Sequence, residues 1–139
     1  MINVWATWCP PCIEEFPLLD ACYRENSLNG WQVLGLAIDK PSAVVDFLAR
    51  HPVRFPVAMA GLEGMALSKA LGNDHGSLPF SVALGADGTV RNRKIGKVSS
   101  QDLTTAFRGP ERRKIHRWDI LCGSGISRRS PAFPDRTSR

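Results

Sequence analysis

The apolar positions of this chain fall into short runs separated by segments with helical periodicity. Ile2 to Ala6 is a short apolar run of the kind found in buried strands. Trp31 to Ile38 is nearly continuous in apolar residues, which is typical of an inner parallel strand covered on both faces. Cys12 to Tyr23 lies between them and predicts a helix. That helix would face the core with apolar side chains at helical spacing: Ile13, Phe16, Leu19 and Tyr23.

The pattern beyond residue 40 continues this alternation and then changes. The further predicted elements are a helix capped by Ser42, a strand Phe55–Met59, a helix Leu62–Leu71, a hairpin of strands Phe80–Leu84 and Thr89–Ile95, and a helix ending at Phe107 behind a Ser99–Asp102 capping box. Strands that alternate with helices require a mainly parallel sheet, and the hairpin adds an antiparallel part. The order predicts an α/β fold.

Charge is divided unevenly along the 139 residues, whose net charge is +5. Residues 1–107 hold 9 Lys and Arg against 10 Asp and Glu, a net −1, and residues 108–139 hold 9 against 3, a net +6. We therefore expect one domain over residues 1–108 and a basic, disordered tail over 109–139. The domain itself has no basic footprint for nucleic acid. The sequence shows neither an 18-residue apolar span nor a secretory signal before Trp5.

The strongest chemical signal is Trp8-Cys9-Pro10-Pro11-Cys12, one short strand from the start of the chain. Cys9 falls at the predicted helix start, where unpaired backbone N–H groups and the helix dipole stabilise a thiolate. Such surroundings lower a cysteine pKa from about 8.5 to roughly 3.5–7.5. Cys9 is the expected nucleophile, and Cys12, one turn further, the resolving thiol.

Other uses of the cysteine pair can be compared with redox exchange. A c-type haem site needs His directly after the second Cys, where Ile13 stands, and structural zinc needs a second ligand pair. The remaining Cys and His residues show no close paired spacing: Cys22, His51, His75, His116 and Cys122. The alternatives left open are a metallochaperone that binds a soft ion such as copper(I) through both thiols, and a non-catalytic remnant.

Four segments together resemble the TlpA-like bacterial thioredoxins, relatives of the cytochrome-c-maturation thiol reductases. They are residues 2–12, Glu15-Phe16-Pro17, residues 76–80, and Ala86-Asp87-Gly88. The resemblance covers about residues 2–107 and implies a thioredoxin-like fold, a central mixed sheet flanked by helices, with an inserted βα unit. Members usually have a further leading strand, which we expect this chain to lack. They typically work outside the cytoplasm, in the periplasm or attached to the membrane.

The resemblance also implies roles for residues around the cysteines. Glu15 would tune the thiols or move a proton. Thioredoxins proper carry a buried Asp six residues before the first Cys, and the uncharged Asn3 stands there, which leaves Glu15 as the proton handler. Pro79 would be held in cis beside the disulfide, and Leu78 would present its backbone to an extended substrate.

Trp8 beside the motif and Pro10 and Pro11 within it are also expected to contact the substrate. Together with Leu78 and Pro79 they form the expected substrate rim. The two prolines fix the backbone and bring no charge, whereas a His in that gap would favour an oxidising site, so the motif fits a reductant. The sequence thus predicts a thiol–disulfide oxidoreductase that reduces protein disulfides. It would need no bound cofactor or metal, because the cysteines carry two electrons themselves. Its partners would be a client protein disulfide and an upstream thiol donor.

Overall fold

A computed structural model describes residues 1–107 of the chain. Its elements are β1 (Ile2–Trp5), α1 (Pro10–Asn26), a 3₁₀ turn (Ser27–Asn29), β2 (Leu34–Ala37), α2 (Pro41–Arg50), β3 (Val57–Met59), α3 (Glu63–Ala70), β4 (Phe80–Leu84), β5 (Val90–Ile95) and α4 (Ser100–Phe107). The predicted order of elements and the α/β class are confirmed. The expected tail, residues 109–139, lies outside the described residues, as do His116 and Cys122, so these predictions stay untested.

Within residues 1–107 the strands form one mixed five-stranded sheet in the order β3-β2-β1-β4-β5. β1 and β2 are parallel, as are β2 and β3, whereas β4 runs antiparallel to both β1 and β5. The central strand β1 places Asn3 opposite Gly35 on one side and Ser81 on the other. A Cβ at Gly35 would lie 3.1 Å from the Trp5 indole nitrogen, so the glycine lets the Trp5 ring pack closely over β2.

Helices cover the two faces of the sheet unequally. Side chains of α1, α2 and α4 pack on the face that carries Trp5, in a cluster that includes Phe16, Phe47 and Leu103. The Trp5 and Phe16 rings meet edge to face with centroids 4.7 Å apart. The opposite face packs against α3. The shared face of α1 and α2 follows from right-handed crossovers, since β1-α1-β2 and β2-α2-β3 join parallel strands and advance in one direction across the sheet.

Three local predictions are wrong in detail. The buried stripe of α1 is Cys12, Glu15, Phe16, Leu19, Cys22 and Asn26, with Ile13 and Tyr23 only at its margin. Helix α2 begins at Pro41, because proline suits the first helical position, so Ser42 lies inside the helix and does not cap it. β2 is limited to Leu34–Ala37, because its partner β1 is itself only four residues long.

The helices in the described part of the chain are all too short or too polar to cross a membrane.

Candidate active site

The cysteine motif lies at the junction between the end of β1 and the start of α1. Cys9 is the residue that precedes the first turn of α1, and its carbonyl accepts hydrogen bonds from the backbone N–H groups of Cys12 and Ile13. The sulfurs of Cys9 and Cys12 are joined in a disulfide, with the Cα atoms 5.3 Å apart. Cys9 is 5% exposed and Cys12 is fully buried. Of the two cysteines, only Cys9 retains any exposed surface.

The residues of the expected rim surround the disulfide with different exposures, and their contact with substrate stays a prediction. The Trp8 side chain is 68% exposed, Pro10 and Pro11 are exposed, and Trp5 is fully buried in the core. The Leu78–Pro79 peptide bond is cis, as predicted. Phe80 pairs with Val4 in the antiparallel β1–β4 pair, so Pro79 lies opposite Trp5, the last residue of β1. Cys9 follows β1 and lies at this same end of the strand.

Glu15 is a buried carboxylic acid, 1% exposed, one helical turn after Cys12. Its Oε1 accepts a 2.6 Å hydrogen bond from the Asn3 carboxamide, and its Oε2 accepts one of 2.8 Å from the backbone N–H of Val98. Burial raises the pKa of Glu15 above its ordinary value of 4.5, and the two hydrogen bonds and the Lys97 ammonium only partly oppose this. A carboxylate whose pKa is raised is a stronger proton acceptor than an ordinary exposed one.

The contact between Asn3 and Glu15 was not predicted, although both residues were singled out. Asn3 is fully buried, and its amide nitrogen also donates to the Ser81 hydroxyl at 3.0 Å across the β1–β4 pair. Two signals could have revealed the contact. Asn3 shares the Trp5 face of β1 by strand alternation, and Glu15 shares a stripe with Leu19 by helical spacing. The neighbouring Glu14 is instead exposed and pairs with Lys97 at 2.9 Å.

Two further residues missed by the sequence reasoning shape the loop before Cys9. The carboxylate of Asp39, which follows β2, accepts hydrogen bonds from the backbone N–H and the hydroxyl of Thr7. These bonds and the backbone N–H of Lys40 hold the pKa of Asp39 below its ordinary value, the Thr7 hydroxyl having the largest effect. No local pattern in the sequence signals this contact, since the residues are 32 positions apart.

The remaining candidate ligands lie apart from the disulfide. Cys22 is buried in α1, where its sulfur accepts a 3.5 Å hydrogen bond from Asn26. His51 stacks on Phe47, and His75 is exposed on the loop before Pro79. Among residues 1–107 no group of three or more His, Cys, Asp or Glu side chains is placed to hold a metal ion.

Comparison with known proteins places this geometry among relatives. The family model described as Redoxin matches residues 1–107. The chain is 32% identical over 104 residues to a thiol-disulfide oxidoreductase ResA of Bacillus cereus, a match that covers 73% of this chain and 57% of that protein. It therefore spans a little over half the length of the curated relatives it matches.

Solved structures agree with the sequence comparison. A thioredoxin-related protein from Neisseria meningitidis serogroup B superposes with a TM-score of 0.67 at 32% identity, over 76% of this chain and 78% of that one. A thiol:disulfide interchange protein from Chlorobium tepidum TLS superposes with a TM-score of 0.65 at 27% identity, over 76% and 74%. These similarities confirm the thioredoxin-like fold.

Proposed function

The chain belongs to the redoxin family, and on this premise we propose that it is a thiol–disulfide oxidoreductase that reduces protein disulfides through Cys9 and Cys12. The observation that carries the proposal is the Cys9–Cys12 pair at the N-terminus of α1, with Cys9 on the accessible side. The helix dipole favours the thiolate of Cys9, which is the attacking form. The similarity to ResA supports the same activity.

The reaction proceeds in two exchanges. The Cys9 thiolate attacks one sulfur of a client disulfide, that bond breaks, and the second client sulfur leaves as a thiolate and takes a proton. A mixed disulfide then joins Cys9 to the client. Cys12 loses its proton and attacks the Cys9 sulfur, which releases the client as a dithiol and forms the Cys9–Cys12 bond. Two electrons pass from this protein to the client, and an upstream thiol donor restores the reduced pair.

Glu15 is proposed to accept the proton of Cys12 in the second exchange. Its burial one turn from Cys12 and its raised pKa support this role. The Asn3 carboxamide can serve both protonation states of Glu15, because a half-turn of the amide exchanges its donor for its acceptor. Within the described residues the Asn3 oxygen makes no hydrogen bond, so it is available to accept from the protonated acid.

The client is proposed to bind as an extended segment along the rim of Trp8, Pro10, Pro11, Leu78 and Pro79. Exposed aromatic and proline side chains beside a reactive disulfide offer an apolar contact surface, and Leu78 is partly buried with its backbone at the sheet edge. By the resemblance to TlpA-like thioredoxins, we propose an extracytoplasmic or membrane-attached site of action and a role in keeping cysteines reduced for cytochrome c maturation.

The direct test of the activity is the reduction of insulin by dithiothreitol with catalytic amounts of the protein. We expect precipitation of the insulin B chain well ahead of the reaction without protein, and a reduction potential nearer to about −270 than −120 mV. Failure to accelerate the reaction would contradict the proposal. Copper(I) bound in stoichiometric amount after anaerobic purification, together with such a failure, would favour the metallochaperone hypothesis instead.

Trp8→Ala is expected to weaken client binding without slowing the chemistry. The side chain is exposed on the turn before Cys9 and contributes apolar contact area, so its loss should raise KM for insulin about three- to tenfold and leave kcat within about twofold. The control is Trp31→Ala, which removes a tryptophan far along the chain from the disulfide. Equal KM values for the Trp8 variant and the wild type would show that Trp8 does not contact the client.

A further inference from the structure

The turn that presents Cys9 is built from four residues, and within residues 1–107 one side chain from outside the turn is hydrogen-bonded to its backbone. Ala6 to Cys9 closes through a 3.2 Å hydrogen bond from the Cys9 N–H to the Ala6 carbonyl, with Thr7 and Trp8 at the corner. The exposed Trp8 and the slightly exposed Cys9 both depend on the geometry of this turn. Any group that fixes Thr7 therefore fixes the start of α1 and the position of the Cys9 sulfur.

Asp39 is that group. Its Oδ2 accepts hydrogen bonds from the Thr7 backbone N–H at 3.1 Å and from the Thr7 hydroxyl at 2.5 Å, and its Oδ1 accepts the Lys40 N–H at 2.7 Å. Charge-assisted bonds of this type are about twice as strong as neutral ones. Asp39 is held in place in turn, because β2 continues beside β1 past its end through a 2.9 Å bond from the Ile38 N–H to the Trp5 carbonyl.

We propose that Asp39 is a positioning residue for the attack by Cys9, acting through Thr7 to hold the turn in the geometry that places Cys9 at the N-terminus of α1. This inference rests on the proposed disulfide exchange. Among the described residues the Asp39 carboxylate accepts hydrogen bonds from Thr7 and from the backbone N–H of Lys40, and none joins it to Cys9 or Cys12. Its effect is to preorganise the turn, so that the helix dipole acts on the Cys9 sulfur and the client meets Trp8 in a fixed place.

The negative charge of Asp39 and its hydrogen bonds to the turn should shift the pKa of the Cys9 thiol in opposite directions. Removing a nearby negative charge should by itself lower the pKa of the Cys9 thiol, because a thiolate is less repelled. Releasing the turn should raise the pKa of Cys9, because the sulfur loses its place at the helix N-terminus. The direction of the change therefore distinguishes a positioning role from a purely electrostatic one.

The test is the pH profile of Cys9 alkylation in the reduced chain, with Cys12, Cys22 and Cys122 identified separately by mass mapping. Asp39→Ala is expected to move the midpoint to higher pH and to slow insulin reduction about tenfold. Asp39→Asn, which is neutral and keeps a carbonyl acceptor for Thr7, should stay closer to the wild type in both. Thr7→Val keeps the charge and loses the hydroxyl bond, so its midpoint should rise as well. Cys12, Glu15, Lys40 and Lys97 are unchanged in all variants.

The matched control is Asp87→Ala. Asp87 accepts hydrogen bonds from the backbone N–H and the hydroxyl of Thr89 in the same way, but in the β4–β5 hairpin, so its loss should leave the Cys9 profile unchanged.

An equal fall of the alkylation midpoint in both Asp39 variants, or no change in either, would overturn the inference. If Asp39→Ala lacks a cooperative melting transition, Asp39→Asn and Thr7→Val carry the test. A wild-type chain that alkylates normally but does not reduce insulin would contradict the proposed function and leave the alkylation test valid.

Discussion

Cys9→Ser is expected to reduce disulfide exchange to the uncatalysed rate, whereas Cys12→Ser is expected to accumulate a covalent complex with the client. The difference follows from the two exchanges. Cys9 is the accessible sulfur that opens the client disulfide, so its loss prevents the reaction. Cys12 is buried and acts only in the second exchange, so its loss stops the reaction at the mixed disulfide.

The measurement is non-reducing electrophoresis with mass mapping after incubation with oxidised insulin. Cys22→Ala provides the control, because it removes a thiol from the same helix without touching the disulfide and should retain turnover. Equal trapping by the two serine variants would mean that the roles are not divided between Cys9 and Cys12 as we propose.

Glu15→Gln is expected to slow the release of the client from the mixed disulfide by about a hundredfold at pH 6–7, the lower end of the range for a positioned base. A glutamine cannot accept the Cys12 proton. At high pH the Cys12 thiolate forms without assistance, so the variant should approach the wild-type rate. Glu14→Gln is the matched control, because Glu14 lies next in the same helix but is exposed and pairs with Lys97. Identical release rates for Glu15→Gln and the wild type across pH 5–9 would exclude Glu15 from proton transfer.

Glu15→Gln is also expected to change how the free energy of unfolding depends on pH. The raised pKa of Glu15 means that the folded chain binds its proton more tightly than the unfolded chain does. The free energy of unfolding therefore falls as pH rises from about the ordinary value of 4.5 through the folded pKa, and the contribution of Glu15 is lost above that range. Glu15→Gln should melt at a higher temperature than the wild type at pH 8 and lose this advantage below about pH 4.5. A higher melting temperature for the wild type at pH 8 would contradict the raised pKa.

The fold could be predicted from sequence because its signals are local. Apolar runs and helical spacing give the order of strands and helices, and Ser99 and Asp102 exchange the hydrogen bonds of the predicted capping box. The strand boundaries were predicted less accurately where pairing with a neighbouring strand sets them. β2 begins at Leu34, opposite Ile2 at the start of β1, whereas its apolar run begins three residues earlier, at Trp31.

The sequence predicted which residues form the candidate site, but not the hydrogen bonds that join them. Cys9, Cys12 and the cis Leu78–Pro79 bond follow from the motif and the family resemblance. The bonds of Glu15 to Asn3 and Val98, and that of Asp39 to Thr7, join segments between 12 and 83 residues apart. Such contacts depend on register and on how α1 docks on the sheet, and a single sequence carries neither.

The central claim is that Cys9 and Cys12 transfer two electrons to a protein disulfide, and a single-turnover reaction tests it most directly. Fully reduced protein is mixed with excess oxidised insulin in the absence of any other reductant, quenched with acid, and mapped by mass spectrometry. Our account predicts that one insulin disulfide is lost for each protein molecule oxidised, and that the new disulfide joins Cys9 to Cys12. Intact insulin beside a still reduced Cys9 and Cys12, or a new bridge that includes Cys22 or Cys122, would contradict it.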